Sequence, residues 1–286
     1  MKSFQDSGIP ALRSCLTKAN SWRNSWMFAV LLGLSEATLG EELSGSDILK
    51  KSEAAYAAVK TYVGTTIVQG KSEIGGTKVE QTSSAKVTFM RPGKVRIEGQ
   101  TASQGTSFKG GHPFTIVSDG KKTWSAWPLQ HNGAFVEVSS VSGAGKGSVA
   151  QGAAELMASA LMKSDGAWTG GSDPFIVPRL EGSKVEGHEA IDAADCFKLI
   201  SKHAELGDVT LWIDSKTFLL RRILIELDQQ QLAAQAKKME ATFKRLGKEP
   251  PQRPVPIKSM VRTFSFKDEK IDGSVNETNF VDPRKN

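Results

Sequence analysis

The chain has 286 residues, 39% of them apolar and 24% charged, with a net charge of +6. This is ordinary globular composition and fits one large domain or two small ones. No dense Lys/Arg block interleaved with aromatics occurs, so the weakly basic balance does not indicate a nucleic-acid partner.

Residues 1–37 have the layout of an export signal. Lys2, Arg13, Lys18 and Arg23 are basic, Trp26 to Leu34 is apolar, and Ser35-Glu36-Ala37 offers a small-x-small cleavage site. The apolar run is too short for a bilayer, which takes about 20 residues. Excluding the segment removes four basic and two acidic residues and lowers the net charge from +6 to +4. Of the two cysteines, Cys15 lies in this segment, so Cys196 has no partner for an internal disulfide. In the strand-like run Asp195 to Ile200 it reads as a small core residue.

Ser44 with Asp47 three residues on is capping-box spacing, and Ile48, Ala55, Tyr56, Val59 and Tyr62 recur at helical intervals. From Thr61 the period changes to two. Thr65 to Val68, Ala85 to Met90 and Lys94 to Glu98 read as antiparallel strands in meander order, with Arg91-Pro92-Gly93 as a turn. Asp119-Gly120 between alternating runs is a hairpin signal. It puts Phe114, Ile116, Thr123 and Trp127 on one face and Val117, Trp124 and Ala126 on the other. Phe135 to Val138 reads as a further strand.

A Gly/Ser-rich link, Ser139 to Gly147, precedes a helix starting at Ser148, whose apolar stripe includes Met157 and Leu161. Trp168 follows in a glycine-rich loop. Strands resume near Ser183 to Gly187 and Cys196 to Ser201. Val209 to Leu227 then reads as one hairpin turning at Asp214 to Thr217, where Asp and Ser side chains bond the backbone two residues on. Both parities of its second strand are apolar, so both faces need cover. Gln229 to Leu246 reads as a surface helix or, from its basic residues, one lying on a membrane surface. Pro250, Pro251, Pro254 and Pro256 make a stiff connector, and Ile257 to Phe266 and Asn276 to Val281 are expected to close the sheet.

Three stretches together resemble the LolA/LolB superfamily of lipoprotein carriers, with its RseB-type sensors and uncharacterised predicted periplasmic members. They are Phe89 to Gly93 with the strand after it, Ile116 to Gly120 with Lys121 and Trp124, and Leu211 to Asp214 through Thr217 to Ile223. The resemblance implies an α+β fold, an incomplete β-barrel in which a curved antiparallel sheet of about ten or eleven strands is covered on its concave face by helices. It implies that Arg91, in the matching Arg-Pro position, latches the helical lid. Residues 38–286 then form a single half-barrel domain, with residues 228–256 as a helical and proline-rich insertion relative to the short carriers.

Catalytic patterns are weak. His112, His131, His188 and His203 make no metal-ligand spacing. Ser142 to Ser148 fails as a phosphate loop because Gly147 stands where Ser or Thr must reach magnesium. No Gly-x-Ser-x-Gly elbow occurs. The expectation is an exported, periplasmic, non-enzymatic protein without a cofactor, binding a lipid, acyl chain or lipidated protein in the hollow. Phe114, Trp124, Trp127, Met157, Leu161, Trp168 and Trp212 are the candidate lining, of unassigned parity, and Arg91 is the latch. The alternative is an RseB-type module that binds another envelope protein.

Overall fold

The computed structural model describes residues 42–103, 112–127, 131–138, 157–158, 161, 180, 182–203, 207–245, 247, 249 and 257–285. The expected export signal, the Gly/Ser link, Trp168, the proline connector and most of the segment expected as the Ser148 helix lie outside them.

Helix α1 (Gly45–Ala58) begins where its sequence says it should. Ser44 Oγ accepts from the Asp47 amide at 3.2 Å and donates to the Asp47 carboxylate at 2.5 Å. This cap satisfies a backbone donor that the first turn would otherwise leave unpaired.

Eleven antiparallel strands then form one open sheet: β1 (Thr61–Ile74), β2 (Thr77–Met90), β3 (Lys94–Ser103), β4 (His112–Asp119), β5 (Thr123–Ala126), β6 (Val136–Val138), β7 (Lys184–Ile191), β8 (Ala194–His203), β9 (Gly207–Asp214), β10 (Leu220–Leu227) and β11 (Ile257–Ile271). Their spatial order, β6-β5-β4-β3-β2-β1-β11-β10-β9-β8-β7, is two meanders joined by pairing the first strand with the last. Helix α2 (Gln229–Arg245) stands between β10 and β11 and buries Leu232 in the core.

Register assigns the faces. Cross-strand partners point the same way, so the rows Tyr62–Phe89–Val95, Val87–Ile97–Ile116 and Phe264–Ile223–Leu211–Leu199 share one side of the sheet. That side carries the main core, with Ile48, Leu49 and Tyr56 of α1 in the same buried cluster, together with Met157, Ala158 and Leu161. Glycine matters at two points in this layer. A Cβ on Gly64 would stand 2.3 Å from the Tyr62 hydroxyl, and one on Gly99 would stand 2.4 Å from the Phe114 ring. Each glycine lets a large aromatic lie across the sheet.

The opposite side is covered in patches. Ile191, Cys196 and Trp212 form a small separate cluster with Leu224 packed on it. Val117 and Trp124 are buried on the same side near the C-terminal 3-10 turns, where the Arg284 guanidinium lies 5.8 Å from the Trp124 ring. Two-sided apolar strands are thus served on both sides by the chain itself.

Three expectations change. Asn276 to Val281 is not a strand. The Asn276 side chain accepts from the Thr278 amide at 3.0 Å and starts a 3-10 turn, Glu277–Phe280, that seats Phe280 in the interior beside β3 and β4. The β4–β5 turn is centred on Gly120-Lys121, because Ser118 pairs with Thr123 and the Asp119 amide donates to the Lys122 carbonyl. This moves the pairing by two residues, so the expected faces survive. Finally, β1 and β2 each run 14 residues, through a polar stretch that the period-two reading left unassigned.

Candidate functional site

The sequence-derived lining residues separate by face. Phe114 lies on the core side, and its ring stacks on Trp127 at 4.8 Å with the planes 7° apart. Met157 and Leu161 join the same cluster and are fully buried. Trp124 and Trp212 point the other way, so the candidate lining, whose parity the sequence left unassigned, divides between the two faces. Trp124 pairs with Val117, out of step with Ile116, and Trp212 pairs with Arg222, out of step with Ile223. The Trp212 indole donates to Glu189 at 3.0 Å, and Arg222 lies 5.7 Å over its ring.

Two clefts of about 510 and 440 Å³ open elsewhere. The first is lined by Lys184, Ile200, Lys202, Asp208, Thr210 and Glu226, the second by Asp192, Arg221, Phe266, Lys267 and Glu269. Phe114, Trp127, Met157 and Leu161 line neither.

Arg91 sits at the seam between α1 and the sheet. Its Nε donates to the Val59 carbonyl at 2.6 Å, and a terminal nitrogen donates to Ala57 at 2.8 Å and Tyr56 at 3.2 Å, while its backbone amide donates to Lys60 at 2.9 Å. The last carbonyls of a helix lack intrahelical partners and carry its negative dipole end, so a guanidinium there satisfies both needs. Asp272 completes the junction by accepting from the Lys60 amide at 2.7 Å and the Thr61 amide at 3.2 Å, and these bonds hold its carboxyl below the usual range.

Under the same helix lies a charged group that periodicity did not reveal. Glu269 has a side chain only 1% exposed. Its carboxylate accepts from Arg221 at 2.8 Å and from the Tyr62 hydroxyl at 3.1 Å, and Arg221 also donates to Asp214 at 2.9 Å. Tyr56, from α1, accepts from the Leu220 amide at 3.1 Å. The β1–β11 and β10–β9 registers both shift here, between Val63 and Thr65 and between Leu220 and Arg222, and such irregularities re-aim side chains. Burial pushes the Glu269 carboxyl up to about 7 against the pull of Arg221 and the Tyr62 hydroxyl. Burial likewise raises both tyrosine hydroxyls well above their ordinary value. No sequence motif marks these residues; two strand irregularities and a turn bring them together.

Two sets of potentially catalytic groups among the described residues are placed unfavourably for chemistry. Burial raises the Cys196 thiol to about 11, which keeps it protonated and a poor nucleophile. Ser215, Asp195 and His188 do meet, but the Asp195 carboxylate stands between Ser215 at 2.8 Å and His188 at 3.0 Å. A hydrolytic triad needs the His between the other two. Among the described residues no group of three or more His, Cys, Asp or Glu could hold a metal, and no described helix is long and apolar enough to cross a membrane.

No protein-family model and no curated protein matches the sequence. Solved structures similar to it include LprF from Mycobacterium bovis, at 14% identity over 84% of this chain and 96% of that one, with a TM-score of 0.44. A LolA superfamily protein from Nitrosomonas europaea shows 12% identity over 85% and 99%, at 0.30. The Pseudomonas aeruginosa MucA/MucB complex shows 13% identity over 84% of this chain and 62% of that one, at 0.39. The structures to which this chain is similar therefore include members of the LolA-like superfamily that its three sequence motifs resemble.

Proposed function

We propose that the sheet curls as a half-barrel and that its α1-covered, concave face takes up an acyl chain of a lipid or of a lipidated protein. In this reading residues 1–37 are a cleaved export signal, residues 38–286 are one half-barrel domain with residues 228–256 inserted, and the protein acts in the periplasm as a carrier, not an enzyme. Trp168, outside the described residues, remains a candidate lining residue beside Phe114, Trp127, Met157 and Leu161.

One observation carries the reading: Ile48, Leu49 and Tyr56 of a 14-residue helix belong to the same buried apolar cluster as the sheet, and the last carbonyls of that helix are held by the Arg91 side chain. Releasing that end exposes Tyr56 and the aromatics beneath it without breaking any strand pairing. The energetics are compatible with exchange. Burying roughly 16 methylenes at about 0.8 kcal/mol each gives about 13 kcal/mol gross, against about 8 kcal/mol for micromolar binding. The difference must cover chain ordering and the displacement of Ile48, Leu49 and Tyr56, so a ligand replaces α1 contacts instead of adding to them.

A second reading, a non-enzymatic envelope-protein-binding module of the RseB type, is favoured by the complete burial of Ile116, Met157, Leu161 and Leu180. There the layer is permanently filled by the chain, and a partner protein binds the outer surface. Native mass spectrometry of the full chain purified from a membrane-containing host separates the two. Co-purifying lipid that is lost on extraction supports the carrier, while a clean protein mass that also fails to take up added lipid supports the module.

A further inference from the structure

Among the described residues, a cation without a partner lies on the core side of the sheet. Arg262 on β11 pairs with Gly70 of β1 and Ile225 of β10, so its side chain shares the face of Val68, Phe264 and Ile223. Among the described residues it makes no hydrogen bond and no ion pair, and it is part-buried, with burial lowering the pKa of its guanidinium. A guanidinium stays protonated all the same. Withdrawing even part of such a charge from water without an anion is unfavourable, an arrangement that folded proteins seldom leave uncompensated.

Arg262 borders a small niche of about 40 Å³ whose other lining residues are Val68, Gly70, Ser72, Gln81, Ser83 and Met260, together with Lys71, which is out of step with Gly70 and Ser72 and is ion-paired with Glu80. Ser83 pairs with Val68, Gln81 with Gly70, and Ser72 with Met260, which places these six residues on the core side. A Cβ built on Gly70 meets nothing within 4 Å, so space stands open beside the guanidinium. In this measure one water needs about 10–15 Å³, so the niche takes about three atoms. Hydroxyl and amide groups of Ser72, Ser83 and Gln81 offer further donors. On one side the surface continues as Val68, Phe264 and Ile225, and on the other it becomes polar.

We propose that Arg262, with Ser83 and Gln81, is the headgroup end of the acyl-binding layer and receives the carboxylate of a single-chain amphiphile such as a long-chain fatty acid. The inference rests on the proposed carrier function and adds the ligand's chemistry and its direction. The carboxylate accepts two parallel N–H bonds from the guanidinium fork, and the hydrocarbon runs from Val68 and Phe264 over the apolar layer. The niche is too small for a glycerophosphate head.

The test uses the full chain after lipid extraction and displacement of a fluorescent long-chain fatty-acid probe by palmitate, methyl palmitate or hexadecyl phosphate. Palmitate is expected to compete at least tenfold better than its ester, because the charge-assisted bonds to the guanidinium are lost with the ester. Arg262→Met brings palmitate down to the ester's level and leaves the ester unchanged, and Arg262→Lys falls between. The Met variant removes an uncompensated charge, so its melting temperature should not drop, and the wild-type comparison of acid with ester stands without any variant. Equal competition by acid and ester, a preference that survives Arg262→Met, or hexadecyl phosphate outcompeting palmitate overturns the headgroup assignment alone. Failure of the probe and of every amphiphile to bind overturns the carrier reading as well.

Discussion

Arg91→Met is the sharpest probe of α1 as a releasable cover. Met keeps much of the aliphatic stem and removes the fork that bonds the Tyr56, Ala57 and Val59 carbonyls. Hydrogen bonds to a charged group are worth about 1.5–3 kcal/mol each, and a cation at a helix C-terminus about 0.3–1 kcal/mol more. The Ala57 bond is exposed and the Val59 and Tyr56 bonds are only part-buried, so water replaces much of what is lost, and the net loss should be about 2–3 kcal/mol in all. At about 1.4 kcal/mol per tenfold, that is roughly a 30- to 150-fold increase in the opening constant of α1. Amide exchange resolved by segment is the assay. Protection should fall over residues 48–58 and stay unchanged in β2 and β3, because no strand pairing depends on the guanidinium. Arg91→Lys, which keeps the charge and loses the fork, should recover part of the protection. Unchanged exchange in α1, or an equal loss of protection in the central strands, would refute the idea that this side chain fastens a locally removable helix.

Other outcomes follow from the same geometry. The Glu269 carboxyl titrates near 7 when folded and near 4.5 when unfolded. Between those values the folded state keeps a proton that the unfolded state has lost, so stability should fall by about 3 kcal/mol as pH rises from about 4.5 to 7 and then level off. Chemical denaturation across that window should show a shallower fall for Glu269→Gln. Gly99→Ala forces a methyl into the Phe114 ring and near the Ser84 carbonyl, and should lower stability by about 1–3 kcal/mol in the same assay. Trp212→Phe should leave acyl-probe affinity unchanged, whereas Phe114→Ala should weaken it at least tenfold, because only Phe114 faces the covered layer. Ellman's reagent should label Cys196 at the global unfolding rate, since the thiol is buried and held protonated.

Much of the sheet was readable because period-two alternation survives wherever one face is buried. Val87 and Phe89, Val95 and Ile97, and Val209, Leu211 and Ile213 all alternate and all fall on the core side. The signal fails where strands run past the core: Gln69 to Ile74 and Thr77 to Ser84 pair over their whole length with mostly polar side chains, so nothing in their hydropathy distinguishes them from a loop. It also fails at Asn276 to Val281, where capping chemistry outweighs the apolar Phe280 and Val281. The pairing of β1 with β11 joins residues some 200 apart in sequence, and no local pattern announces it.

The candidate site was legible in inverse proportion to its dependence on register. Arg91 is singled out through the family resemblance alone, as the Arg before a Pro at a strand end, and it bonds the last carbonyls of the helix that lies close to it in sequence. The aromatic lining needed to know which parity faces α1, and apolar residues occupy both. Trp212 and Phe114 look alike in sequence but lie on opposite faces. Arg262 shows the same limit from the polar side. In the run Met260 to Phe266 it reads as a surface arginine between Val261 and Thr263, and only the pairing with Gly70 and Ile225 turns it toward the core. Once it is turned, the solvated-face explanation that serves most arginines no longer applies. A part-buried cation beside open space, where the apolar layer gives way to polar groups, then requires either an anion from outside the chain or a free-energy cost that Arg262→Met should recover as a higher melting temperature, and the acid–ester comparison decides which.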